Sequence, residues 1–304
     1  MDMDFRSAAP SRKIRDYCFS IAEKFPSVSL FTIGCSLSGQ PIDCMSIGAG
    51  EICHIVVGAH HASEHITALI CVKFVCDLAK AVCDGMFLAG FDAKQIFSRR
   101  KIFVVPVINP DGTDIQQGVF PCGHILFPRL VSMNPSGRDF THWQANARGV
   151  DLNHNYDAGF ADCRLLERNA GIYSGGPSRF GGQYPESEPE THALCNLTRF
   201  LAPQLKTAVA LHTQGEEIYY DYLGDCPRGS LMLAECFSRV SGYTVSKPSG
   251  IASYGGYKDW VISKLGIPAF TIECGKGENP LPPSDFDNIY KKVLPILLTA
   301  AAFG

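Results

Sequence analysis

Short apolar runs alternate along the chain with longer segments that have helical spacing. The short runs are rich in β-branched residues and flanked by turn residues, so they predict buried strands over residues 52–59, 102–108, 208–211 and 269–272. The longer segments predict helices over residues 11–24, 66–83, 188–201, 229–240 and 285–302. Strands that alternate with helices predict an α/β fold: a mixed, mostly parallel twisted sheet that helices flank on both faces.

No internal repeat, low-complexity tract or long linker interrupts this alternation. We therefore expect residues 1–304 to form a single domain, in which residues 1–10 are a disordered tail. Hydrophobic residues make up 46% of the chain and charged residues 19%, which excludes disorder as the main state.

Charge and hydropathy narrow the choice of partner and compartment. The 27 Lys and Arg residues are outnumbered by 30 Asp and Glu residues, so nucleic acid is disfavoured as a partner. No apolar run approaches the ~18 residues of a membrane span, and we expect no membrane partner. The first residues lack the layout of a secretory signal, and the 13 scattered cysteines favour reduced thiols. These features predict a cytoplasmic protein.

Polar residues follow each of the four predicted strands. The first strand runs into His61 and Glu64, the second into Asn109, the third into His212 and the fourth into Glu273. Open α/β sheets bind ligands at the carboxyl ends of their strands. If the strands are parallel neighbours, these side chains converge on one crevice.

A metal site is one interpretation of this crevice. A catalytic zinc takes three protein ligands from His, Asp or Glu and keeps one position for water. His61 and Glu64 have His-x-x-Glu spacing, and His212 offers a second imidazole. His60 and His65 offer competing pairings, and a lone histidine at a strand end is more often a hydrogen-bonded structural residue.

Several stretches, in the same order, resemble the zinc carboxypeptidases of the carboxypeptidase A type. Residues 33–42 resemble the family's first strand and turn, and residues 61–67 (His-Ala-Ser-Glu-His-Ile-Thr) its zinc-binding segment. Residues 109–112 (Asn-Pro-Asp-Gly) and 149–155 (Gly-Val-Asp-Leu-Asn-His-Asn) match two further motifs, the second with one departure. The similarity extends from about residue 11 to residue 300.

This resemblance implies a carboxypeptidase-like sheet and a zinc-dependent peptidase with one Zn²⁺ per chain. The implied metal ligands are His61, Glu64 and His212, with Asp151 as a partner of a ligand histidine. Glu273 falls where the family has its general base, which takes a proton from a metal-activated water and passes it to the leaving amine.

Three departures bear on the substrate and on oxyanion stabilisation. The family has Arg where this chain has His154, so capture of a terminal carboxylate is in doubt, while Asn153 remains as a polar substrate contact. Arg148 is the nearest candidate for the oxyanion cation, although Gln144 is an alternative positional match. Ile251 falls on the family's mobile Tyr position, and we expect nearby Tyr254 to compensate unless it is an ordinary loop aromatic.

Lys258 falls at the family's specificity position, at the base of the pocket for the side chain after the cut. A lysine there favours a substrate group with a negative charge, unless it pairs with Asp259 instead. Arg179, on a Gly-rich loop, is a further candidate contact for a substrate carboxylate, with a solvated loop position as the alternative.

The stretches 212–219, 256–260 and 273–282 resemble one subfamily, the bacterial γ-D-glutamyl-L-diamino-acid peptidases. The resemblance implies hydrolysis of the bond between D-glutamate and meso-diaminopimelate in a peptidoglycan-derived peptide. Two alternatives remain open: a zinc amidohydrolase that deacylates amino acids, and a non-catalytic wall-peptide binder on the same fold. The sequence leaves the oligomeric state open.

Overall fold

The computed structural model describes residues 3–304, which contain ten strands and ten α-helices. The strands are β1 (Val28–Cys35), β2 (Pro41–Ile47), β3 (Ile52–Val57), β4 (Phe87–Leu88), β5 (Phe91–Asp92), β6 (Arg100–Val105), β7 (Leu205–His212), β8 (Glu217–Tyr219), β9 (Thr244–Val245) and β10 (Ala269–Glu273). The helices are α1 (Ser11–Lys24), α2 (Ile66–Asp84), α3 (Ala93–Arg99), α4 (Pro110–Gln116), α5 (Phe127–Met133), α6 (Phe160–Asn169), α7 (Pro189–Leu201), α8 (Ser230–Ser241), α9 (Tyr257–Trp260) and α10 (Phe286–Phe303).

Eight of the strands form one mixed sheet in the order β1-β2-β6-β3-β7-β10-β8-β9. The four central strands β6, β3, β7 and β10 are parallel, and they are the four strands that the apolar runs predict. Strands β1, β2 and β8 pair antiparallel with their inner neighbours. The mixed, mostly parallel sheet is therefore confirmed, and the carboxyl ends of its central strands meet at one edge.

Helices cover both faces of this sheet, as predicted. Helices α1, α2, α8 and α10 pack on one face, where side chains such as Val56 and Val209 point. Helices α7 and α9 pack on the other, against Ile55 and Ala208 among others. Alternate residues of β3 and β7 thus enter opposite cores, as the two-residue period of a strand requires. The five predicted helices match α1, α2, α7, α8 and α10 to within one residue at each end.

The strand predicted over residues 102–108 is displaced in the structure, where β6 begins at Arg100 and ends at Val105. Pro106 has no backbone N–H for the ladder, which accounts for the early end. At the other end, Arg100 Nε donates to the carbonyl of Ala301 at 3.0 Å and so ties the start of β6 to α10.

The expectation of a disordered tail over residues 1–10 is wrong for residues 3–10. Phe5 stacks on Phe286 with ring centroids 5.5 Å apart, and the backbone N–H of Asp4 donates to Tyr17 Oη at 3.0 Å. Ala9 is fully buried. Two aromatic partners and a buried small residue supply the apolar contacts that order this segment; Met1 and Asp2 lie outside the described residues. Between residues 3 and 304, no helix combines the length and apolarity that a bilayer span requires.

Candidate active site

The chain leaves β3 through a tight, strained turn that leads directly to His60 and His61. A Cβ on Gly58 would lie 2.8 Å from the carbonyl oxygen of Pro106, so only glycine fits there without a shift. Ala59 has φ of 48°, in the left-handed region that non-glycine residues rarely adopt. Strain of this kind persists where surrounding contacts hold it, typically at functional sites.

The Asn-Pro-Asp-Gly motif holds this turn in place. Asn109 caps α4 by accepting from the Gly112 N–H at 3.0 Å, and its Nδ2 donates to the carbonyl of His60 at 3.0 Å. The Asp111 carboxylate accepts from Ser36 Oγ at 2.7 Å and from the Ser38 N–H at 2.8 Å. The motif is therefore scaffolding that joins the ends of β3, β6 and the β1–β2 turn.

The three predicted metal ligands come together at the carboxyl edge of the sheet. His61 Nδ1 lies 2.8 Å from Glu64 Oε1, and His212 Nδ1 lies 3.0 Å from Glu64 Oε2. The two imidazole Nδ1 atoms are 3.3 Å apart. Glu64 and His212 are buried, while the His61 side chain keeps 15% of its exposure, so the cluster opens to solvent beside His61.

Asp151 orients the ring of His61. Its Oδ1 lies 3.1 Å from His61 Nε2, and an ionised carboxylate can only accept, so Nε2 carries a proton. Nδ1, which faces Glu64, is then the ring atom at which an ion would replace a proton, and a second imidazole and a carboxylate face the same point. Nitrogen and oxygen donors in this number are the set that a catalytic Zn²⁺ uses, so these residues fit the ion that the resemblance implies.

The electrostatics of the cluster also favour a cation. Burial alone lowers the pKa of His61, but Glu64 and Asp151 together raise it well above its usual value. Burial raises the pKa of Glu64, but His61 and His212 outweigh it and lower that pKa to about 2. Two carboxylates that stabilise positive charge on a buried ring would equally stabilise a divalent ion in place of the proton.

Glu273 ends β10 directly beside the cluster. It lies in register with His212 of β7 on one side and with Glu217 of β8 on the other. Burial, and then the charges of Glu64 and Glu217, raise its pKa well above the usual range. A carboxyl group adjacent to the predicted metal ligands and biased towards holding a proton has the position and the basicity of a general acid–base group.

The competing histidines have other partners. His60 Nε2 lies 3.0 Å from Tyr156 Oη, and its ring stacks on His212 with centroids 5.2 Å apart. His65 Nδ1 lies 3.2 Å from Gln117 Nε2. Neither side chain joins the three ligand atoms, so the structure favours His61 over the two alternatives.

Asn153 and His154 follow Asp151 on the same loop but differ in orientation. Asn153 Oδ1 accepts from the Tyr257 N–H at 3.0 Å, and within residues 3–304 its Nδ2 makes no hydrogen bond, so it can donate to a substrate. His154 is buried, and its Nδ1 lies 3.2 Å from Cys163 Sγ. The contact with Cys163 thus anchors the imidazole of His154 on its Nδ1 side.

The two candidate arginines lie in different surroundings. Arg148, whose side chain is 40% exposed, pairs with Glu188 at 3.4 Å, and its role as the oxyanion cation stays a prediction. The carbonyl of Gln144, the alternative, accepts from the Ala62 N–H at 3.0 Å, so Gln144 is the residue tied to the metal-ligand segment. The backbone N–H of Arg179 donates to Asp151 Oδ2 at 2.8 Å, and its exposed guanidinium has no ion-pair partner in the part of the chain that the structure describes.

Lys258 is not a free specificity residue. Its buried ammonium pairs with Asp259 and donates to the carbonyl of Asp221, which is the alternative that the sequence left open. Both charges are about 4% exposed, so each neutralises the other inside the protein. Tyr254 is half-buried against Gly159, where a Cβ would lie 2.7 Å from its ring, and it makes no contact with the metal-ligand atoms.

Sequence reasoning missed Asn279, which contacts the site from the loop after β10. Its Nδ2 donates to Glu64 Oε1 at 3.4 Å and to the carbonyl of Thr213 at 2.9 Å. Thr213 Oγ1 donates to Asn279 Oδ1 at 2.6 Å. Residues 273–282 resemble one subfamily, but no spacing rule connects Asn279 with Glu64, which lies 215 positions earlier.

Two known proteins are similar in sequence to this chain over most of its length. Gamma-D-glutamyl-L-diamino acid endopeptidase 1 of Lysinibacillus sphaericus is 35% identical over 274 residues, which cover 90% of this chain and 67% of that protein. An uncharacterized protein of Bacillus subtilis is 34% identical over 291 residues, or 93% of this chain and 74% of that protein.

The fold is shared with solved metallopeptidases. Bovine thrombin-activatable fibrinolysis inhibitor superposes with a TM-score of 0.76 at 19% identity, covering 98% of this chain and 97% of that one. Murein-tripeptide amidase of Escherichia coli O157 superposes with a TM-score of 0.53 at 20% identity, covering 89% and 92%. A family model described as zinc carboxypeptidase matches residues 14–295. The chain therefore belongs to the zinc carboxypeptidase family of metallopeptidases.

Proposed function

We propose that the chain hydrolyses the amide bond between γ-D-glutamate and meso-diaminopimelate in peptidoglycan-derived peptides. The observation that carries this choice of substrate is the 35% identity, over 90% of the chain, to a relative named for γ-D-glutamyl-L-diamino-acid cleavage. The substrate must also suit a site in which His154 stands where the family has a carboxylate-binding arginine. In the same site Arg179 has no ion-pair partner within residues 3–304.

Each step of the proposed hydrolysis has a residue in position. His61, Glu64 and His212 would hold Zn²⁺, which when bound polarises the scissile carbonyl and acidifies a water molecule. Glu273 takes the proton from that water and later donates it to the leaving amine. Asn153 Nδ2, free of other partners within residues 3–304, donates to the substrate on the leaving side of the cut.

Arg179 offers a partner for a second carboxyl group on the acyl side of the cut. A glutamate joined through its γ-carboxyl keeps a free α-carboxylate there, which a residue with a single carboxyl group lacks. The backbone N–H of Arg179 donates to Asp151, which in turn contacts His61, so Arg179 lies beside the site and is the candidate partner for that carboxylate. Arg148 offers no equivalent because Glu188 already holds it.

Turnover of defined peptides tests the proposal. L-Ala-γ-D-Glu-meso-diaminopimelate should be cleaved between its second and third residues, and a chelator should abolish the reaction. An analogue in which the free α-carboxylate of the γ-linked glutamate is converted to a carboxamide should react at least about tenfold more slowly, since it lacks one charge-assisted contact. Arg179→Gln should remove that difference, whereas the matched control Arg148→Gln should preserve it.

The two alternative functions give different results in the same assay. A deacylase would release the acyl group from N-acetyl amino acids and leave the tripeptide intact. A non-catalytic binder would bind the tripeptide with no product in either case. Glu273 disfavours the binder, because a protein that only binds has no use for a general base beside the ligand cluster.

A further inference from the structure

A chain of hydrogen bonds lies behind His154, on the side away from the metal-ligand cluster. His154 Nδ1 is 3.2 Å from Cys163 Sγ, and Cys163 Sγ is 3.3 Å from Glu167 Oε1. The Glu167 side chain is fully buried, pairs with Arg164 and accepts from the Gly181 N–H at 3.0 Å. Cys163 and Glu167 both belong to α6, one turn apart, so the helix fixes their spacing.

The direction of these bonds fixes where the protons are. An ion-paired Glu167 carboxylate can only accept, and therefore Cys163 donates its one proton to Glu167. The sulfur can then only accept, so His154 Nδ1 carries the proton that faces it. Burial raises the pKa of Cys163 to about 12, which keeps the thiol protonated, and burial lowers the pKa of His154, which keeps its ring neutral.

A neutral imidazole with its proton on Nδ1 has an unprotonated Nε2 that accepts hydrogen bonds. Within residues 3–304, His154 Nε2 has no hydrogen-bond partner, and the side chain keeps 10% of its exposure. The charges that act on the ring come from Asp151, His61, Arg179 and His212, which line the site. His154 therefore lies close to these site residues and carries one acceptor atom without a partner in the described part of the chain.

We infer that His154 is a specificity residue that accepts a hydrogen bond from an N–H on the leaving side of the cut. This inference rests on the proposed function. An acceptor attracts an N–H and repels a carboxylate oxygen. The site should therefore prefer substrates in which the α-carboxyl of the residue after the scissile bond forms an amide. The preferred substrates are then peptides that continue beyond diaminopimelate, and the chain is an endopeptidase.

The tautomer can be measured without any activity. Long-range ¹H–¹⁵N spectra of histidine-labelled protein, compared with those of His154→Phe to assign the ring, should show a protonated Nδ1 and an unprotonated Nε2 at neutral pH. Cys163→Ser, which can make the same two hydrogen bonds, should leave the pattern unchanged. A proton on Nε2, or a doubly protonated ring, would overturn the inference.

Matched substrates test the consequence. The tripeptide L-Ala-γ-D-Glu-meso-diaminopimelate is compared with its carboxamide, amidated at the carboxyl group next to the cleaved nitrogen. One hydrogen bond gained and one repulsion avoided should favour the amide by about tenfold in kcat/KM. His154→Phe removes both the hydrogen bond and the repulsion, so it should lower kcat/KM for the amide, raise it for the acid and bring the two values together. Equal rates, or a preference for the acid, would contradict the inference.

The two measurements separate this inference from the proposed function. If neither peptide is cleaved but the Nδ1-protonated tautomer is found, the proposed substrate is wrong and the acceptor role of His154 stands. If both are cleaved and the acid is preferred, the proposed substrate stands and the acceptor role is wrong.

Discussion

Asn279 donates a hydrogen bond to Glu64, with Nδ2 and Oε1 3.4 Å apart, although the two residues are 215 positions apart in sequence. The contact constrains the free rotation of a carboxylate that must face His61 and His212. Partners of metal ligands usually affect metal affinity by about 10–100-fold. The loop after β10 thus acts on the metal site without contributing a ligand to it.

Asn279→Ala should weaken zinc binding by about tenfold while leaving the unfolding transition of the metal-free protein nearly unchanged. Competition with a chromophoric chelator measures the affinity. The exposed neighbour Glu278 provides the control, since Glu278→Ala should have no effect. An unchanged affinity in Asn279→Ala would mean that the contact with Glu64 does not orient the ligand.

Glu273→Gln should lower kcat by about 10²–10⁴-fold, because a neutral amide cannot take up a proton. Zinc content should stay at one ion per chain, as the side chain is not among the three ligand atoms that converge. Glu217→Gln, on the neighbouring strand, is the matched control and should retain most activity. Comparable loss in both variants would show that the assignment of the general base is wrong.

Lys258→Met should destabilise the fold by about 3–5 kcal/mol, because it leaves the carboxylate of Asp259 buried and unpaired. The same substitution at Lys264 serves as control, since its partner Asp157 is half exposed and such surface pairs contribute about 0–1 kcal/mol. Urea unfolding measures both. Adding Asp259→Asn to Lys258→Met should recover much of the loss, and failure to recover would point to Lys258 packing rather than charge.

Glu190 should make stability depend on pH. Burial first, and then the charges of Asp111 and Glu188, raise its pKa to about 7. The folded state therefore holds a proton that the unfolded state releases near pH 4.5, so stability falls as pH rises from about 4.5 to 7. Glu190→Gln does not lose stability in this way. Its free energy of unfolding relative to that of the wild type should therefore rise by up to about 3 kcal/mol over that range.

Unfolding free energies at pH 5 and pH 8 test this effect of Glu190. The exposed Glu235, changed to Gln, is the control and should follow the wild type at both values. A difference between Glu190→Gln and the wild type that does not change with pH would contradict the expected linkage.

The central sheet and the long helices follow from the sequence because burial alone specifies them. Residues 208–211 are continuously apolar, as are residues 52–57 apart from His54, and such a run between turn residues has few other structures open to it. Strands β8 and β9, at one end of the sheet, have three and two residues, too few for a pattern. The position of β8 depends on its pairing with β10, and that of β9 on its pairing with β8, which form only in the folded protein.

The candidate metal ligands could be named in advance because a motif supplies two of them and a strand end the third. The environment of each side chain could not. The sequence leaves Lys258 either facing substrate or paired with Asp259, and its ion pair with Asp259 and hydrogen bond to the carbonyl of Asp221 depend on how α9 packs on the sheet. The orientation of His154 likewise depends on its contact with Cys163. No local sequence pattern relates the position of Cys163 on α6 to the site.

The order of strands in the sheet also sets when the site can form. His61 and Glu64 leave the ribosome long before His212, which is 151 positions after His61, yet β3 and β7 are neighbours in the sheet. Until β7 inserts beside β3, an ion at the proposed site could reach only two of the three candidate ligands. Ion binding at this site therefore depends on the pairing of two strands that lie far apart in the sequence.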